Sequence, residues 1–471
     1  MDYYIRKEYG EAYRLHVDDI VTNGLHPETV GQVIDSYFNQ VVYSLNQPAA
    51  ARGSQSVFWN VAYFDSPYFH QLFEGFVFPD GSDLVSHWAS VNWLQRRFMK
   101  WFNKERTKNL LTFPVESFSL LNDGKTFVDK DSADFVAEMY AEGHSFFTYT
   151  SDSVDSLASC CRLRNGIQDN QFSYTLGAGG VSTGSKCVMT ININRLVQNT
   201  HRAWKAEGSH GDFMTRLSSA VVDQTELIHK YLLAINKIIC DMRDCHMISI
   251  YDAGFIAPEK QYLTCGINGL VEGAEYLGIK PTDNDQYATY VNAIMSPIFE
   301  INKRDKTRTV MFNTEMVPAE NLGVKFAKWD KKDGYFVPRD CYNSYFYRVE
   351  DPTVNLVDKF RLHGSKYTGR LDGGSALHGN LEEHLTKDQY WMLLHTAIRT
   401  GCNYFTFNIP NSICNKCGHI EKHRFDKCPV CGSEDVDYAT RVIGYLSRVS
   451  KWSLDRQKEA ARRFYSTQRN L

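Results

Sequence analysis

Long apolar runs are missing from this chain. No run of about 18 apolar residues occurs among its 471 residues, so no transmembrane helix is expected. The opening MDYYIRKEYG lacks the apolar core of a signal peptide, which predicts a cytoplasmic location. Charge of one sign is also lacking. The net charge is −3, which gives no global case for binding nucleic acid or anionic membranes. There is no repeat at a fixed period and no low-complexity tract, which argues against solenoids and against compositionally biased linkers.

What is present belongs to a large globular protein. Hydrophobic residues make up 43% and charged residues 23%, which excludes a disordered chain. Aromatic residues reach 13% and imply extensive packing. The length allows two to three domains or one large α/β barrel. Twelve cysteines in a chain of this size read as thiols and metal ligands, not as a disulfide framework.

Residues 26–45, HPETVGQVIDSYFNQVVYSL, carry apolar positions at a helical period, with Pro27 suited to the first turn. Residues 213–243 form a second long helical stretch. Strand candidates are HSFFTYTSD (144–152), CVMTININ (187–194), HMISIYDAG (246–254), TRTVMFNTE (307–315) and NYFTFNIP (403–410). Helices alternating with β-branched and aromatic strands predict an α/β architecture. Glycine-rich segments at 176–185, 265–278 and 371–385 lie beside strands, where such folds place their sites. A boundary is expected near Asn411.

Beyond that boundary, CNKCGHIEKHRFDKCPVC holds Cys414, Cys417, Cys428 and Cys431 as two CxxC knuckles ten residues apart. Four thiolates at this spacing suit tetrahedral zinc. Gly418 and Gly432 follow the knuckles directly and ease the turns. Four protein ligands leave no open position, so the zinc is expected to be structural. Alone, the module reads as a zinc ribbon that stiffens a domain or touches a partner. Cys187, Cys240, Cys245, Cys265, Cys341 and Cys402 belong to no motif and are expected to be packed thiols.

Nine residues past Cys431 the chain reads TRVIGYLSR. On the Gly-Tyr pair alone, Gly444 is a tight turn. Arg441, Val442, Gly444 and Tyr445 nevertheless match the Arg-Val-x-Gly-Tyr loop of glycyl radical enzymes. With a four-cysteine module just before it, the chain resembles the anaerobic (class III) ribonucleoside-triphosphate reductases, in their phage form. QPAAARGSQSVFWN, CCRLRN, TININRL, GINGLVE and PAENLGVKFAK extend the resemblance over essentially the whole chain. Glycine suits a Cα radical because no side chain obstructs coplanarity with the flanking amides, and glycine adopts backbone shapes that other residues avoid.

The resemblance implies a ten-stranded α/β barrel over 1–410, incomplete at its N-terminal side, and a zinc-binding and glycyl radical domain over 411–471. It implies a radical stored at Gly444 and passed to Cys161, on a loop near 157–166; Cys160 is the alternative. The Cys161 thiyl would take the ribose 3′ hydrogen, with formate as reductant, making deoxyribonucleoside triphosphates for DNA synthesis. Asn192 matches an asparagine near the active site, as a candidate hydrogen-bonding partner of substrate, with a strand asparagine satisfied by backbone as the other reading. The segments 176–185 and 408–414 could offer backbone donors to the triphosphate. The implied partners are an iron–sulfur activase that cleaves S-adenosylmethionine, and a second copy in a homodimer. The implied location is the host cytoplasm if the gene is phage-borne. Family members begin further upstream, with a second active-site cysteine and often a nucleotide-binding cone, so a separate N-terminal fragment is an expected partner. Two alternatives stand beside this reading: another glycyl radical enzyme such as a formate-lyase, and an inactive zinc-ribbon remnant.

Overall fold

Parallel strands cannot be joined by tight turns, so each pair needs a crossover of a dozen residues or more. The alternating helical and β-branched segments supply these crossovers. The computed structural model describes the chain outside residues 24–25, 49–55, 155, 160–162, 167–183, 255, 318–320, 442–443 and 469–471. Its main ladder uses β1 (Asn60–Phe64), β2 (Val115–Leu121), β3 (Phe147–Ser151), β4 (Gly184–Asn192), β5 (Gln261–Asn268), β6 (Met311–Met316), β7 (Leu377–Asn380) and β8 (Tyr404–Asn408).

The strands β1, β2 and β3 pair in parallel, with Ser117 opposite Phe147. The β3–β8 pairing is antiparallel, with Tyr149 opposite Tyr404. Beyond it, β8 and β7 are parallel, as are β6, β5 and β4. A parallel bridge from Glu315 to Gly374 joins β6 to the approach of β7. Three strands thus run one way and five the other. The ten-stranded barrel expected from the resemblance is represented by these eight among the described residues.

Helices cover one face of the ladder. They include α1 (Val30–Asn46), α2 (Trp88–Glu105), α3 (Lys130–Ala141), α4 (Ile193–Ala206), α5 (Phe213–Asp244), α6 (Leu270–Tyr276), α7 (Asp285–Asp305), α8 (Leu322–Lys332) and α9 (Lys387–Thr400). Their starts are written in the sequence. Asp129, Asp212 and Asn284 cap α3, α5 and α7 through their side chains. Thr29–Gln32 and Thr386–Gln389 form full capping boxes on α1 and α9. Phe118 and Leu120 of β2, Leu263, Cys265 and Ile267 of β5, and Phe312 of β6 share one buried cluster with α2, α3, α4, α5, α6, α7 and α9. By the two-residue period of a strand, the intervening residues face the opposite, inner side.

A second, four-stranded antiparallel sheet follows β8 after two residues. It contains β9 (Asn411–Cys414), β10 (Ile420–Glu421), β11 (Val436–Arg441) and β12 (Leu446–Arg448), in the order β10-β9-β11-β12. The helix α10 (Leu454–Arg462) closes the chain.

Three expectations give way. Residues 246–254 form no strand; Ser249–Asp252 is a single helical turn after α5. Met247 and Ile250 there are exposed, so β-branched content found no sheet to join. Pro27 is not in a helical first turn: His26–Thr29 pairs with Ile20–Asn23, and the capping box starts the helix at Val30. Cys245 is exposed, not packed.

Gly364 sits where the chain meets the end of α9. A Cβ at this position would run into the Thr400 carbonyl, with the Arg361 carbonyl 3.1 Å away. Backbone cannot yield as a side-chain tip can. Gly364→Ala is expected to destabilise the fold by about 1–3 kcal/mol, read as a lowered melting temperature. An unchanged melt would show that the approach is looser than described.

Candidate active site

The two cysteine knuckles are built alike. The Cys414 N–H donates to the His419 carbonyl at 2.9 Å and the Cys428 N–H to the Ser433 carbonyl at 2.8 Å. The Gly418 and Gly432 amides close each turn on the carbonyls of Cys414 and Cys428. Both glycines have positive φ, +77° and +69°, a conformation that L side chains avoid. The four Sγ atoms lie within 4.8 Å of one another, with Cys414–Cys431 at 3.5 Å and Cys417–Cys428 at 3.6 Å. The backbone amides of Cys417 and Lys416 point at Cys414 Sγ and favour its thiolate. An all-sulfur tetrahedral donor set fits a thiophilic metal ion.

Three residues of the same sheet then reach the main ladder. Arg441 and Leu446 pair across β11 and β12, with Gly444 and Tyr445 at the tip between them. Gly444 in this tip is buried. Tyr445 packs its ring near Phe58 and Phe113, with centroids 6.1 and 5.9 Å away. The hairpin base is fixed by Asn408 at the end of β8. Its Oδ1 accepts from Thr440 Oγ1 at 2.9 Å and from the Arg441 N–H at 3.2 Å. Its Nδ2 donates to Asn380 Oδ1 at 3.0 Å.

Arg441 is fully buried. Its Nη1 donates to the Gly444 carbonyl, its Nε to Ser145 Oγ at 3.0 Å, and its Nη2 to the Ser145 carbonyl at 2.7 Å. The guanidinium lies 5.0 Å from the Phe147 ring centroid on β3. Burial, reinforced by Arg106 nearby, pulls the guanidinium down to about 9.

Arg106 shares the Ser145 carbonyl, at 2.9 Å, and donates to Glu116 at 3.3 Å. Glu116 also accepts from Tyr63 at 2.8 Å and lies 3.1 Å from His144 Nε2. Burial lowers the His144 pKa, which keeps the ring neutral beside this carboxylate. Lys422 of the cysteine module enters the same region. It donates to Asn103, its carbonyl lies 2.7 Å from His384 Nε2, and burial pulls its ammonium down to about 8.

The inner face of the ladder is polar. Ser117, Thr264, Asn313, Glu315 and His378 lie on it by strand alternation. Thr264 donates to Asn313 at 2.7 Å. Ser117 Oγ and Asn313 Nδ2 are buried without a partner among the described residues, as atoms awaiting a polar ligand would be.

The family model for anaerobic ribonucleoside-triphosphate reductase matches residues 1–465. The chain belongs to the anaerobic ribonucleoside-triphosphate reductase family. Solved structures agree with this. One from Thermotoga maritima, in complex with dATP and CTP, has a TM-score of 0.81 and 27% identity, over 97% of this chain and 72% of its own. A second, described as an anaerobic ribonucleotide reductase, has a TM-score of 0.83 and 27% identity, over 99% and 71%. No match was found among curated proteins. The fold is therefore the glycyl radical enzyme barrel, and the enzyme is an oxidoreductase acting on ribonucleotides. Membership implies a glycyl radical, nucleotide substrates and an activating partner protein. No helix among the described residues is long and apolar enough to cross a membrane.

The residues singled out in the reductase sequence fall in different places. Gly444 and the four cysteines lie on the strands and connections of one small sheet. Cys160 and Cys161 lie outside the described residues; the strands flanking them, Ser156–Ser159 and Leu163–Gly166, pair as an antiparallel hairpin. Residues 176–183 also lie outside. Asn192 ends β4 and is engaged on both sides: Oδ1 caps α4 through the Arg195 N–H at 3.1 Å, and Nδ2 donates to both oxygens of Asp330 at 3.0 Å. Its contacts are those of a structural cap. Sequence reasoning missed Arg106, Glu116, His144 and Ser145. A charged residue inside the otherwise apolar and small VESFSLL strand was the available signal.

Glu116 is the carboxylate directly bonded to Arg106 in this cluster. Removing it leaves buried positive charge without its counter-ion. Glu116→Ala is expected to destabilise the reductase by about 3–5 kcal/mol, measured by chemical denaturation. A loss below about 1 kcal/mol would mean that the cluster is solvated.

Proposed function

We propose that the chain stores its radical at Gly444 and transfers it to Cys161, whose thiyl begins ribonucleotide reduction. The observation that carries this reading is the hairpin tip: Gly444 is buried against the barrel, and a buried guanidinium holds its carbonyl. An ordinary surface turn has no use for such a clamp.

In the proposed sequence, a small iron–sulfur activase cleaves S-adenosylmethionine and removes one hydrogen atom from Gly444 Cα. The Cys161 thiol then gives its hydrogen atom to Gly444, leaving the thiyl. The thiyl takes the 3′ hydrogen of the ribose, and the 2′ hydroxyl leaves as water. Formate supplies two electrons and ends as carbon dioxide. The 3′ hydrogen returns from Cys161. Overall, a ribonucleoside triphosphate, formate and a proton give the deoxyribonucleoside triphosphate, carbon dioxide and water. The inner-face Ser117, Asn313 and His378 are placed to meet a polar substrate, and Tyr445 packs the loop against Phe58 and Phe113. The polar inner face favours a hydroxyl-rich nucleotide over the small keto acid of a formate-lyase.

Anaerobic activation followed by air exposure tests the radical site. Oxygen should cut the chain at Gly444, giving a fragment that ends near Ile443 by mass spectrometry. Gly444→Ala should abolish this cut. Cys161→Ser should keep the cut and lose turnover by several orders of magnitude; a turning-over Cys161→Ser enzyme would move the role to Cys160.

The four-cysteine site is assigned to structural zinc, and the working unit to a homodimer in the cytoplasm. The stretch of α5 from Leu227 onward supports the dimer. Its buried residues end at Leu232, while Leu227, Tyr231 and Ile238 stand exposed on one side, a surface that a second copy could cover. Metal analysis and sedimentation of the purified chain should give one zinc per chain and a dimer's mass. A metal-free folded protein or a monomer at working concentration would remove the respective assignment.

A further inference from the structure

The buried guanidinium of Arg441 has unusual partners. Among the described residues, none of its hydrogen-bond acceptors is a carboxylate. They are the Gly444 carbonyl, the Ser145 carbonyl and the Ser145 hydroxyl. The Glu116 carboxylate in the same cluster bonds Arg106. Burying a cation against neutral acceptors is costly. The cost is tolerated where the charge is used.

Arg441 is also held rigidly. Its amide donates to Asn408, and its carbonyl accepts from Arg463 Nη1 at 2.7 Å. Arg463 is in turn paired with Glu459 at 2.8 Å. Below the guanidinium lies the Phe147 ring. The backbone, the side-chain head and one flat face are therefore fixed from four places: β8, β3, the residue after α10 and the segment before β3.

An unpaired electron on a peptide Cα spreads into the adjoining carbonyl. A cationic donor at that oxygen favours the spread, as preorganised donors favour any charge developing on oxygen. It also holds the carbonyl in the plane that the spread requires. We propose that Arg441 is the positioning residue of the radical loop: its guanidinium fixes the plane of the Gly444–Tyr445 peptide and stabilises a radical at Gly444 Cα. This rests on the assignment of the radical to Gly444. Ser145 serves as the anchor that aims the guanidinium.

The test uses the full chain, activated without oxygen and followed by electron paramagnetic resonance after the activase is removed. Arg441→Met should shorten the radical half-life about tenfold, the effect of losing one charge-assisted hydrogen bond. Its spectrum should show a wider splitting from the remaining α hydrogen, because spin returns to carbon. Arg441→Lys keeps a charge but cannot reach Ser145 and Gly444 together, so it should fall between. Ser145→Ala leaves Arg441 and Gly444 in place and should shift half-life and splitting in the same direction by less. Thermal melts identify variants that fold; if Arg441→Met does not, Ser145→Ala decides. A folded variant with the parent half-life and splitting overturns the proposal. A parent chain that gives neither a radical nor oxygen cleavage at Gly444 overturns the radical assignment itself, and this inference with it.

Discussion

A guanidinium that, among the described residues, meets neither solvent nor a carboxylate of its own is the constraint around which this molecule is arranged. Arg441 can remain buried only while the two Ser145 acceptors and the Gly444 carbonyl stay where they are. Ser145 is held by its position immediately before β3, and its carbonyl also serves Arg106. Arg106 brings Glu116 from β2, and Glu116 brings Tyr63 and His144. Four separate stretches of the barrel wall are thereby tied to one turn of the C-terminal sheet. Each link is a charge-assisted or fully buried hydrogen bond, the class whose loss is most costly.

The four-cysteine module extends the same logic. Its knuckles fix the outer end of β9 and the approach to β11, so a bound metal rigidifies the strand that carries Arg441. Lys422 plants the module on Asn103 at the end of α2, beside the Arg106 cluster. The module and the barrel therefore meet at several places, among them the hairpin tip, Lys422 and the Arg424–Glu382 ion pair. Several contacts define an orientation where one would leave a pivot.

The strands with aromatic and β-branched runs, 147–151, 184–192, 311–316 and 404–408, were legible because each is long, apolar on one face and bounded by turn residues. The metal module was legible because cysteine spacing is nearly independent of tertiary context. The segment 246–254 looked like a strand on the same composition, yet it follows the end of α5 and forms a single helical turn with Met247 and Ile250 exposed. Pro27 fits a helix start by type, and a hairpin claimed it. Glu116, Arg106, His144 and Ser145 were not legible as a group. They are brought together by strand pairing and helix packing across ten to forty residues of chain, and nothing in their spacing announces it. Arg441 was visible only as one letter of a motif; its partner Ser145 lies 296 residues away.

The pairing of Arg441 with Leu446 makes loop length a determinant of chemistry. Four residues separate two positions that face each other across a ladder, and both ends of the turn are spoken for: the guanidinium on one side, the Tyr445 ring against Phe58 and Phe113 on the other. An inserted residue would satisfy one anchor only by surrendering the other. The turn is thus bound by a count of residues as well as by their identity. That count is set by geometry and holds whatever residues occupy the two positions between Arg441 and Gly444.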